Sequence, residues 1–167
     1  MEEIGKTTEN ALQDGVKIHG FFRVHLEGPD GKIIGDSGWQ KNQITNLGFL
    51  EYLVHTLGAS AGSKQIGFVA LGTGAAPASN ATTLAGEIMS STQRKAVTYA
   101  NVASTTAQFT ATFASSDSFL TAAANLSNIG LFNATTTNAT LFAGNTFASS
   151  SCDTNQNVNV TYQIRFS

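Results

Sequence analysis

The sequence predicts a mainly β protein: an antiparallel β-sandwich, jelly-roll-like, with one short α-helix and an extended N-terminal arm. Three observations carry this expectation. Residues 157–166 alternate without a break, Val158, Val160, Tyr162, Ile164 and Phe166 against Asn157, Asn159, Thr161, Gln163 and Arg165, the period of a half-buried strand. Several shorter runs repeat that period between connections rich in Gly, Ser, Thr and Ala, the pattern of stacked antiparallel strands. Helical spacing is clear only between about residues 46 and 57. The 167 residues suit one domain with a sizeable core, taken as 15–167, with residues 1–14 as the arm.

In the arm, Ile4, Ala11 and Leu12 are scattered among polar and charged residues, too few to bury a face. Arms of this kind often lie across neighbouring subunits in protein shells; the alternative is an arm folded back on its own domain. The stretch lacks the apolar centre of a signal peptide, and no apolar run approaches membrane-spanning length. Synthesis in a cytoplasm, without export by a cleaved signal, is the expectation.

From Val16 to Leu26, Ile18, Phe22, Val24 and Leu26 share one face while His19, Phe21, Arg23 and His25 share the other. Gly28-Pro29-Asp30-Gly31 is a turn, and Lys32–Asp36 returns as the hairpin partner. His19 and His25 are separated by about 20 Å on an extended strand, so they do not bind one metal ion together and read as surface histidines. Next comes the only tryptophan, Trp39, expected in the core beside the helix. Leu47, Leu50, Val54 and Leu57 fall on one helical face, with Thr45 or Asn46 as N-cap and Gly58 as terminator. Leu50 is accordingly expected to be buried.

After a loop at 59–63, Gln65–Leu71 is apolar on both faces, as a central strand requires. Gly72-Thr73-Gly74 invites a phosphate-loop reading, but the third glycine position holds Pro77 and no helix follows; a turn leaving the sheet is expected. Leu84–Met89 reads as a brief turn or strand. Residues 93–102 and 105–113 form two strands, with Ala107, Phe109, Ala111 and Phe113 packed inward. Residues 115–125 are a loop with a helical turn at 121–124, and Leu126–Asn133 pairs with Thr140–Ala143 through a Thr-rich turn.

Some of these pieces form an ordered set. Lys41-Asn42-Gln43-Ile44-Thr45-Asn46-Leu47-Gly48 precedes a helix; a strand then ends in Ala70-Leu71-Gly72-Thr73-Gly74, with Pro77, Glu87 and Arg94 beyond it. Ile129-Gly130-Leu131-Phe132-Asn133-Ala134, a turn, Leu141-Phe142-Ala143, Phe147 and the alternating last strand complete it. In this order the chain resembles a recurring type of tailed-bacteriophage virion protein. The resemblance implies a non-enzymatic structural role in the virion, assembled in the host cytoplasm: a capsid decoration (cement) protein that binds the major capsid protein and bridges capsomers, or a tail, neck or fibre component.

Composition agrees with such a role. Net charge is −2 and charged residues make up 12%, about half the usual share, so neither nucleic acid nor an anionic membrane is expected as partner. Between Lys95 and Asp153 the only charge is Asp117. A surface this neutral suggests cover by other subunits, and a homo-oligomer, a trimer first, is expected. Beyond Leu57 there is no histidine, and the acids are Glu87, Asp117 and Asp153. No nucleophile elbow, metal-binding helix or phosphate loop occurs. No catalytic residue, cofactor or metal ligand is therefore assigned. The single Cys152 excludes an intrachain disulfide and reads as a passive small residue. For a carbohydrate-binding alternative, Trp39 and Tyr99 are the candidate aromatics.

Overall fold

The computed structural model describes residues 17–54, 65–88, 94–136 and 139–167. The arm, the distal helix residues Leu57 and Gly58, the 59–63 loop, Met89 and the middle of the Thr-rich turn lie outside the described residues.

The chain is mainly β, and among the described residues every strand pairing is antiparallel. In order, the strands are β1 (Ile18–Glu27), β2 (Ile33–Asp36), β3 (Gln40–Ile44), β4 (Phe68–Gly72), β5 (Lys95–Ala96), β6 (Thr98–Ala103), β7 (Thr106–Phe113), β8 (Ala124–Phe132), β9 (Leu141–Cys152) and β10 (Asn157–Phe166). They form one sheet of ten strands ordered β5-β4-β8-β9-β3-β1-β10-β7-β6, with β2 beside β1. The two ends of that order, β5 and β6, are separated in sequence only by Val97, whose N–H donates to the Gly67 carbonyl at 2.9 Å. The sheet thus curls back on itself and nearly closes into a barrel.

The period-two readings of β1, β7 and β10 hold. Phe22, Val24, Leu26, Phe109, Phe113, Val158, Val160, Tyr162 and Ile164 are buried, brought together by the β1–β10 and β10–β7 registers. Phe22 stacks on Tyr162 with ring centroids 5.7 Å apart and takes Phe147 against its edge. The Gly28–Gly31 turn closes as expected, with the Gly31 N–H donating to the Gly28 carbonyl.

Other expectations need correction. β3, Gln-Lys-Asn-Gln-Ile, is a strand although it has no apolar alternation, and it joins β1 to β9, linking the two halves of the sheet. Strand β9 runs on to Cys152, far beyond Ala143, because its small polar second half is held by pairing with β8 rather than by an apolar face. The only turn of helix in the 115–125 connection is a 3₁₀ turn at Ser115–Asp117, and β8 already begins at Ala124.

The helix departs furthest from its spacing. After Asn46 and Leu47 it winds as a π-helix over Gly48–Val54, whose i to i+5 bonding rotates side chains away from a 3.6-residue pattern. Thr45 caps it as expected, its Oγ1 accepting from the Gly48 N–H at 2.9 Å. Among the helix residues whose burial is described, the buried positions are Gly48 and Tyr52, not Leu50, which is 51% exposed. Tyr52 packs edge-on against Phe142 at 5.0 Å and donates its hydroxyl proton to the Thr140 carbonyl. Leu50→Ala is therefore expected to change stability by less than about 0.5 kcal/mol, measured by urea unfolding; a loss of about 2 kcal/mol or more would put that side chain in the core after all.

Candidate functional site

The outward face of β3, β1, β10 and β7 is built by the alternation that fills the core. Register places Lys41 beside Phe21, Phe21 beside Gln163, and Gln163 beside Gln108 in one row across the sheet. His19 and Arg165 are neighbours in the next row. The Arg165 Nε and Nη2 groups donate to Gln163 Oε1 at 3.0 and 2.6 Å, and Gln163 Nε2 donates to Gln108 Oε1 at 2.7 Å. Held this way, the guanidinium lies 4.5 Å from the Phe21 ring centroid and 5.8 Å from that of Trp39, a cation–π arrangement. Trp39 is 44% exposed on this face, which corrects its expected place in the core.

Charge is unevenly distributed over the same face. Arg23 is neutralised by a bidentate pair with Asp36, whose other approach is from His25 Nε2 at 3.3 Å. The Arg23 hydrogen bond holds the Asp36 carboxyl well below the usual carboxylate range. Among the described residues no carboxylate pairs with Lys41 or Arg165. Towards β7 the face becomes uncharged, with Thr112 Oγ1 donating to Asn159 Oδ1 at 2.7 Å.

Tyr99 is elsewhere. It is 60% exposed on β6, tilted against Phe109 at 5.6 Å, and stands at an open recess of about 360 Å³ on the inner side of the sheet, walled by Tyr52, Ile66, Phe109, Phe142 and Phe166. The two candidate aromatics thus belong to opposite faces and do not form one binding platform. Sequence reasoning missed Arg165, Gln163, Phe21 and Lys41 as a group. The outward phase of Phe21, Gln163 and Arg165 was legible, but that of Lys41 on β3 and the β3–β1–β10 adjacency that unites the four were not.

The residues that carry the resemblance are joints of the fold. Gly72 bridges Glu87, and the Thr73 N–H donates to the Gly86 carbonyl at 3.0 Å, so that amide is not turned out towards a phosphate. A Cβ at Gly74 would press on the Ala85 carbonyl far inside contact distance. Asn128, fully buried, donates to the Ala75 and Ala85 carbonyls at 3.1 and 2.8 Å and binds the same loop from behind. Arg94 and Glu87 form a bidentate pair at 2.7 and 2.9 Å, with side chains 1% and 11% exposed. The Arg94 Nη1 also donates to the Ala134 and Thr136 carbonyls, and the guanidinium lies 3.5 Å from the Phe132 ring centroid. One side chain therefore ties the stretch after β4 to the turn after β8.

Cys152 is buried, and burial pushes its thiol up to about 11, the opposite of an activated nucleophile. Among the described residues no three His, Cys, Asp or Glu side chains are grouped to hold a metal ion, and none of their helices is long and apolar enough to cross a membrane. What the outer face offers chemically is recognition, through an exposed indole, two cations without paired carboxylates and a row of amides. Compared with known protein families, curated proteins and solved structures, the chain matches none.

Proposed function

We propose that this chain is a non-enzymatic structural protein of a tailed-bacteriophage virion, a capsid decoration (cement) protein that binds the major capsid protein and bridges capsomers as a homo-oligomer, a trimer first. In this reading the two halves of the curled sheet act as the facing layers of a jelly-roll-like sandwich. The observation that carries it is the uncharged outer surface of β6, β7 and the Asn159–Thr161 stretch of β10. Thr98, Thr110 and Thr161 share one row and Thr112 and Asn159 the next, while the one acid between Ala96 and Cys152, Asp117, is neutralised by Lys95. Such a surface forms close hydrogen-bonded contacts without desolvating charge. Contacts that are individually modest become strong when multiplied over a lattice.

Thr110→Lys with Thr112→Lys is expected to abolish oligomer formation in sedimentation while circular dichroism stays unchanged. Deleting residues 2–14 is expected to leave a folded domain that no longer attaches to particles. A wild-type chain that sediments as a monomer at high concentration, or a truncated one that attaches undiminished, contradicts the proposal.

A second reading, a tail or fibre component that binds host-surface carbohydrate, is favoured by one feature, the exposed Trp39 beside Arg165 and Gln163. It predicts that soluble oligosaccharides quench Trp39 fluorescence.

A further inference from the structure

We infer that the cationic aromatic patch formed by Phe21, Trp39, Lys41 and Arg165 is the receiving site for the acidic N-terminal segment, residues 2–14, of a second copy of the chain. The inference deepens the proposed shell role and rests on it only in taking another copy as donor.

Charge is the first argument. The segment holds Glu2, Glu3, Glu9 and Asp14 against the single Lys6, four acids less one base, a side-chain charge of −3. The patch is its complement, since Lys41 and Arg165 have no carboxylate partner among the described residues, whereas Arg23 one row away is already neutralised by Asp36.

Pre-organisation is the second. Gln163 binds the Arg165 guanidinium through Nε and Nη2, and its Nη1 group makes no hydrogen bond among the described residues, leaving N–H donors for a carboxylate. The Trp39 ring beside it, 44% exposed, gives an apolar seat for Ile4, Ala11 or Leu12.

Reach and direction are the third. Lys17 is locked to Ser167 by hydrogen bonds in both directions, 2.7 and 2.9 Å, so the chain enters β1 at the sheet end nearest the patch. The sixteen residues before Lys17 span up to about 55 Å when extended, enough to cross to a neighbour. Docking on the same copy would need the segment to double back over the outer face of its own β1, whereas an extended segment of this length reaches a neighbour.

The test uses the full-length chain. Because Trp39 is the only tryptophan, its emission reports directly on the patch. Three variants are compared with the wild type by sedimentation and by fluorescence across a dilution series at low and physiological salt. The first neutralises the segment (Glu2→Gln, Glu3→Gln, Glu9→Gln, Asp14→Asn), the second reverses the patch (Lys41→Glu, Arg165→Glu), and the third combines the reversed patch with Glu2→Lys, Glu3→Lys and Glu9→Lys. Either one-sided variant is expected to weaken association by about tenfold or more at low salt, with less effect as salt screens the wild-type contact. Each is also expected to move Trp39 emission to its dilute value, and the combined variant to restore both readouts.

Loss of association on neutralising the segment but not on reversing the patch places the segment on another surface; it overturns this inference and leaves the shell role standing. Carbodiimide crosslinks confined to single chains, in a mixture of isotopically light and heavy copies, overturn the exchange between copies. Oligosaccharide quenching of Trp39 with association untouched by either charge variant overturns the inference in favour of a glycan site. Restored association in the combined variant, with the protein missing from purified particles, supports the exchange while removing the virion role.

Discussion

Arg94→Ala is expected to destabilise the chain by about 3–5 kcal/mol, the cost of leaving one partner of a buried ion pair uncompensated. The size follows from what the guanidinium does. With the side chains of Arg94 and Glu87 1% and 11% exposed, water does not replace the lost bonds. The Glu87 carboxylate loses its two Arg94 donors, the Ala134 carbonyl loses the Arg94 donor, the Thr136 carbonyl keeps only the Ala139 N–H, and the face of Phe132 loses its cation. Arg94→Lys is not expected to rescue, because a single ammonium cannot reproduce the planar fork. Combining Arg94→Met with Glu87→Leu is expected to recover most of the loss, since removing both charges removes the desolvation problem. Urea unfolding of Arg94→Met, of Glu87→Leu and of the pair forms a double-mutant cycle. A single-variant cost below about 1 kcal/mol would place the pair in solvent, where such pairs contribute little.

Gly48→Ala is expected to cost about 3 kcal/mol or more, at or above the usual range for overpacking. The added Cβ would lie far inside contact distance of the Phe142 carbonyl oxygen and against the Ile44 side chain. That carbonyl cannot retreat freely, because it accepts from the Thr45 N–H at 3.0 Å and lies 3.1 Å from the Thr45 hydroxyl, whose single proton it shares with the Leu141 carbonyl at 2.7 Å. The methyl group would therefore have to push the π-helical segment off β9 and displace Tyr52 from Phe142. The readout is the urea midpoint together with near-ultraviolet circular dichroism from the buried aromatics. A variant within about 0.5 kcal/mol of wild type would mean that the Thr45–Gly48 corner is not the hinge between β3 and the helix.

These two sites show how much of the molecule was legible. The strand phases of β1, β7 and β10 were readable because each has one dry and one wet side, so a residue's parity names its face. β3 was not, since Gln40, Lys41, Asn42 and Gln43 have no apolar alternation, and only the backbones of β1 and β9 make it a strand. The helix existed where spacing put it, but its face was misread because it winds as a π-helix and seats Gly48 against Phe142, a partner 94 positions away. Glu87 and Arg94 were noticed as members of a motif, while their role as a buried clamp depended on the turn after β8. The patch around Arg165 was invisible for the same reason: its members come from three strands whose adjacency is a property of topology.

A cement role is decided by where the protein resides and in what number. Quantitative mass spectrometry of purified phage particles, paired with electron microscopy of particles labelled with an antibody to the chain, measures both. The proposed cement role predicts hundreds of copies per particle, distributed over the head surface. A handful of copies confined to the tail or neck, or none in particles at all, would contradict it.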